Sequence, residues 1–272
     1  MINPSQTAAH ANLNALYHYE KFHPEHLVTM LREKKIYFSD ASCLNDPWDC
    51  RPWFDHERMG ADAIESFIEM FFSVPPSGPV SSDQVVATKQ AIRTKPEYRR
   101  AVLQRFSQNF LKVIPDRWRI YCLTPIPDST LMWSHYGDNH RGICLEFAVG
   151  ARLFGSAMKV VYREDYPQWL PRDLATDPTQ ILLTKSDDWA YEHEYRIIGL
   201  GDSVSRSSEF HPLTLTGSFM PLPDGALRSV IIGCEADFET IARIIKTEAP
   251  ELQVRRAARA PNQYRLVVEN QL

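Results

Sequence analysis

The sequence has no apolar run approaching the about 18 residues of a membrane-spanning helix, and no signal-peptide pattern at its start. The expected setting is therefore soluble and cytoplasmic. It also lacks an excess of positive charge: 30 Lys and Arg stand against 34 Asp and Glu, a formal net charge of −4. That balance argues against nonspecific nucleic-acid binding through bulk charge, which needs a basic surface, and leaves room only for a local basic groove. The five cysteines form no CxxC pair, so neither a disulfide framework nor a cysteine zinc site is indicated. No internal repeat or low-complexity tract is present. What is there is an ordinary globular composition, 44% hydrophobic and 24% charged, in 272 residues, enough to bury a substantial core.

Taken in order, polar residues 1–13 lead into a short strand, Ala15 to Tyr19. His23-Pro24-Glu25 then opens a helix with proline at its first position, Leu27, Met30 and Leu31 form its buried stripe, and Ile36 to Ser39 follows as a strand. Leu44-Asn45-Asp46-Pro47-Trp48-Asp49 is dense in turn formers and reads as a loop. That loop either orients a ligand or is an Asx turn capped by Asn45, with Trp48 as a core plug. Residues 60–113 read as a helical insertion. One stripe runs through Ile64, Phe67, Ile68 and Phe71, another through Tyr98, Val102, Phe106 and Phe110, with Ser73 to Ser82 as the loop between them.

Further strands are expected at Arg119–Thr124, Ile143–Phe147, Met158–Tyr162, His211–Leu215, Arg228–Gly233, Leu252–Arg256 and Tyr264–Val268. A short helix from Leu131 to Tyr136, capped by Ser129 or Thr130, presents Trp133, His135 and Tyr136 beside the polar loop that holds Asp138 and His140. Strands outnumber long helices and do not alternate with them. The expected fold is a single α+β domain over residues 1–272, with mixed, mainly antiparallel sheets and flanking helices; segments 14–59 and 114–272 form its core.

The densest chemistry lies in Trp189 to Leu200, WAYEHEYRIIGL. Strand alternation would put Glu192, Glu194 and Arg196 on one face and Tyr191, His193 and Tyr195 on the other, with the two carboxylates roughly 6.6 Å apart. Such a pair can share a substrate hydroxyl, a cation or the guanidinium of Arg196; it can equally be an ion-paired strand face. His135, His140 and Asp138 match no standard metal-ligand spacing, and no metal site is expected from them.

Three stretches taken together resemble the bacterial DUF2971 family, a domain of unknown function. They are Leu16-Tyr17-His18-Tyr19 with Asn45-Asp46-Pro47-Trp48-Asp49, then Met132-Trp133-Ser134-His135-Tyr136 with His140 and Gly142, then Lys185, Trp189, Glu192, Glu194 and Arg196. More distantly, the order of parts is similar to that of the ADP-ribosyltransferase fold. That resemblance implies an ADP-ribosyltransferase-like core and NAD as the substrate cofactor. It gives His18 a ribose-binding role, Tyr136 a place against nicotinamide, and Glu194 or Glu192 the carboxylate that stabilises positive charge during glycosidic cleavage. Tyr19, Asn45, Asp46, Trp48, Trp133, His135, Lys185 and Arg196 are the further residues expected to line the dinucleotide. The partner implied is a macromolecular acceptor, protein or nucleic acid, in the manner of a toxin or defence effector, with no membrane involved. Three other readings stay open. One is a metal-dependent hydrolase or nuclease gathering Asp46, Asp49, His135, His140, Glu192 and Glu194, with Lys185 on a phosphate. Another is a noncatalytic nucleotide-binding module stacking bases on Trp48, Trp133 and Tyr136. In the third, the motifs serve packing and turns alone.

Overall fold

The computed structural model describes residues 6–54, 57, 59–73, 79–167, 169, 179–200 and 213–270, with backbone alone for 110–117 and 214. In chain order the strands are β1 (Ala15–Glu20), β2 (Lys35–Tyr37), β3 (Ser39–Asp40), β4 (Trp118–Leu123), β5 (Ile143–Ala148), β6 (Met158–Lys159) and β7 (Val161–Arg163). They continue as β8 (Thr184–Ser186), β9 (Tyr195–Leu200), β10 (Leu213–Thr214), β11 (Phe219–Pro221), β12 (Leu227–Ile232), β13 (Gln253–Arg259) and β14 (Leu266–Asn270). The helices are α1 (Pro24–Glu33), α2 (Ala61–Ser73), α3 (Ser82–Thr94), α4 (Pro96–Arg117), α5 (Thr130–His135), α6 (Arg152–Gly155), α7 (Thr179–Leu182) and α8 (Phe238–Glu248). The fold is mixed α+β, with most strand pairs antiparallel. The chain divides into two compact units, one made of Ala41–Arg117 and Val161–Asp188, the other of Ile2–Asp40, Trp118–Val160 and Trp189–Leu272.

In the second, larger unit one sheet runs β1-β5-β12-β13-β14 and the other β10-β9-β4-β3, with β6 also paired to β9. α1 forms as the sequence predicts: proline at the first turn, Leu27, Met30 and Leu31 buried, and Lys34 closing it in the left-handed conformation at φ 48°. α8 joins the parallel strands β12 and β13, the kind of connection a parallel pair requires. Its buried Ile241 and Ile245 share the main core with Leu27, Met30 and Leu31 of α1 and with Leu145, Phe147, Val230 and Ile232 of the first sheet. Tyr121, Leu123, Tyr195 and Ile197 of the second sheet belong to the same core.

The two sheets meet where Tyr17 and Thr124 exchange both backbone hydrogen bonds, Tyr17 N to Thr124 O at 2.7 Å and Thr124 N to Tyr17 O at 2.9 Å. One residue on, the His18 ring bridges β1 and β4, its Nδ1 lying 2.7 Å from the Cys122 carbonyl. That ring stacks on Tyr121 at 4.3 Å between centroids. A second constraint fixes the loop after α5. Asp138, Asn139 and His140 all have positive φ (48°, 52° and 68°), and this tight winding brings the His140 and Gly142 carbonyls to the amides of Glu235 and Gly233. A Cβ on Gly233 would stand 2.1 Å from the His140 oxygen, and one on Gly142 would stand 2.3 Å from the Glu20 oxygen.

In the first unit, α2, α3 and α4 pack around Met59, Phe67, Ile68, Ile92 and Leu103. The expected stripe on α2 holds at Phe67 and Ile68, whereas Phe71 is exposed. Among the described side chains of α4 the buried one is Leu103, next to the expected Val102; the side chain of the expected Phe110 lies outside the described ones. α3 lies in a stretch that the apolar periodicity leaves unassigned, and it starts at a reciprocal capping box between Ser81 and Gln84. The 44–49 loop is an Asx turn made by Asp46, whose Oδ1 accepts the Trp48 amide at 2.9 Å. This corrects the expectation for Trp48, which is 62% exposed and plugs no core. In the larger unit the expected His211–Leu215 strand is seen as Leu213–Thr214, since 211 and 212 lie outside the described residues.

Gly233→Ala and Gly142→Ala should each lower stability by about 2 kcal/mol or more, because backbone cannot yield as a side chain does. Gly150→Ala, where an added Cβ meets nothing within 4 Å, should change the urea midpoint little.

Candidate functional site

The segment expected as one continuous strand is built from two pieces. Asp187–Glu192 forms a 3-10 helix, His193 turns left-handed at φ 47°, and β9 begins only at Tyr195. The strand therefore does not carry Glu192, which corrects the predicted alternation. The reason is tertiary: the buried Thr124 hydroxyl donates to the Glu192 carbonyl at 2.6 Å, capturing that backbone oxygen at the sheet junction. Burial nevertheless alternates, with Glu192 and Glu194 at 2% and 4% exposure and His193 exposed between them.

The two carboxylates have different partners. Glu194 lies against Arg196 in a bidentate pair, Nε to Oε1 at 2.8 Å and Nη2 to Oε2 at 2.9 Å, and Arg196 is fully buried. The planar fork of arginine matches a carboxylate in this way, and each charge compensates the other's burial. Glu192 instead accepts the Tyr136 phenol, Oη to Oε1, at 2.5 Å. Tyr136 is the residue that ends α5, a short helix started by Ser129, whose hydroxyl accepts the Met132 amide at 3.3 Å. Trp133 anchors the helix: fully buried, it donates Nε1–H to the Pro127 carbonyl and meets Tyr19 edge-on at 5.1 Å. Tyr19 is held in turn by its own hydroxyl on the Ile126 carbonyl. Trp133 and Tyr19 are thus wall and support, with no open face for a dinucleotide.

Beside Glu192, the rings of His135, Trp189 and Tyr191 form a triangle with centroids 6.1–6.2 Å apart, and Tyr136 stands 6.2 Å from His135. His135 is exposed and Trp189 and Tyr191 are half-buried. Trp189 and Tyr191 are not among the site residues expected from sequence, although both lie in the same twelve-residue segment. Lys185 is in the other unit, buried on β8 where β8 pairs with β7, and Asn45, Asp46 and Trp48 belong to that unit's Asx turn. Among the described residues, no group of three or more His, Cys, Asp or Glu side chains is placed to hold a metal ion.

His18 has a defined protonation state. Burial pushes its pKa down to about 4, against the pull of the Cys122 carbonyl, so at neutral pH the ring is uncharged. Nδ1, facing a carbonyl, carries the proton, which leaves Nε2 as an acceptor 3.8 Å from Glu20. Burial raises Glu20 up to about 7. His18 and Glu20 share one face of β1, and Tyr17 and Tyr19 occupy the other, packed with Trp133, Tyr136 and Tyr191.

The larger unit is thus a split pair of sheets whose junction carries an arginine-paired glutamate and a tyrosine-held glutamate under aromatic cover. Residues 132–197 match the family model described as Protein of unknown function (DUF2971). The matched stretch contains α5 from Met132 onward, β5 and the whole Glu192–Arg196 segment; the Leu16–Tyr19 and Asn45–Asp49 motifs lie outside it. No curated protein and no solved structure matches the chain.

Breaking the ion pair should be costly. Glu194→Ala leaves a buried guanidinium facing an emptied site and should cost about 3–5 kcal/mol in urea unfolding, whereas Glu194→Met with Arg196→Met should recover much of that loss. The Glu20 shift sets a pH dependence. A carboxyl with a folded pKa near 7 and an ordinary value of 4.5 when unfolded holds its proton longer in the native state. Its contribution is complete below pH 4.5 and is lost as pH rises through 7. The Tm advantage of Glu20→Gln over the wild type should accordingly grow between pH 5 and 8. His18 contributes in the opposite direction, strengthening as pH rises from 4 to 6.5.

Proposed function

We propose that the protein is an NAD-using enzyme of the ADP-ribosyltransferase type, in which Glu192 meets the charge that develops as the nicotinamide glycosidic bond breaks. The observation that carries this reading is the 2.5 Å bond from Tyr136 to Glu192 beside the His135, Trp189 and Tyr191 rings. A carboxylate fixed before the reaction stabilises an oxocarbenium-like centre more than the ground state, at no cost in reorganisation. Flat rings next to it suit a planar leaving group and keep water away from the cation. The bond between C1′ of the ribose and the nicotinamide nitrogen breaks, and its electron pair neutralises the pyridinium. A nucleophile on a macromolecular acceptor then bonds to C1′ and loses its proton to Glu192.

The remaining expected residues serve position. The Arg196 fork fixes Glu194 and with it the start of β9. His18 holds the gap between β1 and β4, and its Nε2 offers an acceptor to a ribose hydroxyl. The larger unit supports the resemblance in one further respect: the histidine-bearing strand and the strand that follows the glutamates both flank β4, through the Tyr17–Thr124 bridge and the β4–β9 ladder.

The test is nicotinamide release from NAD by purified protein, with cell extract as the source of acceptor and with EDTA and magnesium arms. Release should survive EDTA, fall about 100-fold or more in Glu192→Gln and fall less in Tyr136→Phe, with both variants still folded at the assay temperature. If NAD is untouched in every arm and does not raise Tm, the reading is wrong. If NAD raises Tm without release, the rings belong to a binding module.

A further inference from the structure

The hairpin of β13 and β14 closes at Ala260–Arg265, where the Ala260 amide donates to the Arg265 carbonyl and Asn262 takes a left-handed φ of 59°. Between this tip and the start of α5 lies a cleft of about 700 Å³, lined among others by Thr130, His140, Arg259, Asn262, Tyr264 and Arg265. The volume falls within the range of about 300–1,000 Å³ typical of small-molecule sites. It holds none of the Glu192 machinery.

Tyr264 is fully exposed, a large ring with no packing role on the hairpin tip. Arg259 and Arg265 bring two positive charges to a chain whose formal net charge is −4. The carboxylate facing them is Glu235, 3.7 Å from Arg259, and both side chains of that pair are more than half exposed, 81% and 52%. An ion pair of that kind is weak and readily exchanged for a better anion. Asn262 supplies an amide that can both donate and accept, and the buried His140 Nδ1 has no hydrogen-bond partner among the described residues. A single aromatic face, two guanidiniums and neutral polar groups match a base that stacks, a phosphate that pairs, and base edges that hydrogen-bond.

We propose that this cleft binds a nucleoside phosphate, with the base on Tyr264 and the phosphate between Arg259 and Arg265. An acidic peptide would use the arginines and leave the ring and the amide idle. The nucleotide can be free or part of a single strand, since both present the same groups. The site stands apart from the NAD reading, although Thr130 and His140 flank the α5 segment that carries Tyr136.

Two probes separate the sources: AMP by calorimetry, and a fluorescein-labelled eight-nucleotide uridine strand by anisotropy. Binding of either probe, weakened about tenfold or more in Tyr264→Ala and kept in Tyr264→Phe, is the expected result. Arg259→Ala with Arg265→Ala should weaken it again and flatten its salt dependence. AMP alone would mark a free nucleotide as the ligand, and the strand probe would mark a nucleic-acid contact. Absence of binding by both at millimolar protein, or variants that bind like the wild type, would overturn the proposal. Glu192→Gln should bind both probes like the wild type, so loss of the NAD activity leaves this result intact, and the reverse holds too.

Discussion

One threonine ties together the parts of the larger unit. Thr124 gives both of its backbone groups to Tyr17 and its hydroxyl to the carbonyl of Glu192, so three segments distant in sequence are fixed from a single position. A hydroxyl at 1% exposure has to find a partner, and this one finds it at the end of a 3-10 helix that the strand ladder cannot reach. His18 completes the junction by filling the gap where β1 and β4 begin to splay. Its neutrality follows from the same position: the ring stacks on Tyr121 beside the Cys122 carbonyl, and partial burial disfavours its charged form.

From that junction the two glutamates acquire different chemistry although they stand two residues apart. Glu194 cancels its charge on Arg196 through two parallel hydrogen bonds, and what the pair delivers is a rigid start to β9. Glu192 accepts the Tyr136 phenol at one oxygen, a contact that orients its carboxyl group. A buried carboxyl group of that kind is costly to keep without such a partner.

Much of this was legible in the sequence wherever a local rule decided it. Pro24 marks the start of α1, Ser129 caps α5, and the strands expected at Ile143–Phe147 and Arg228–Gly233 form as β5 and β12. Where distant contacts decided, local rules failed. Tyr195 to Leu200 is so strongly strand-forming that extending it back to Glu192 is the natural reading; the left-handed turn at His193 and the pull of Thr124 are invisible without the fold. Trp48 reads as a core plug by size, yet the turn that carries it is made by the smaller Asp46, and the ring faces outward. The third helix escaped because it buries a single large apolar side chain, Ile92, and so shows no stripe. Its signal was the capping box, Ser81 followed three residues later by Gln84.

The matched family segment, 132–197, includes both members of each contact that gives the site its character: Tyr136 with Glu192, Glu194 with Arg196, and His135 with Trp189 and Tyr191. The frame that holds those contacts in place comes from outside it, from Tyr17 and His18 on β1 and from Cys122 and Thr124 at the end of β4. These contacts and the frame that holds them are therefore separable along the chain. A change in β1 or β4 acts on them through the junction, by shifting the Glu192 carbonyl or the start of β9. A change within the segment acts on the contacts directly. That separation is why Thr124, which touches no substrate in the proposed reaction, governs the geometry of the carboxylate that does.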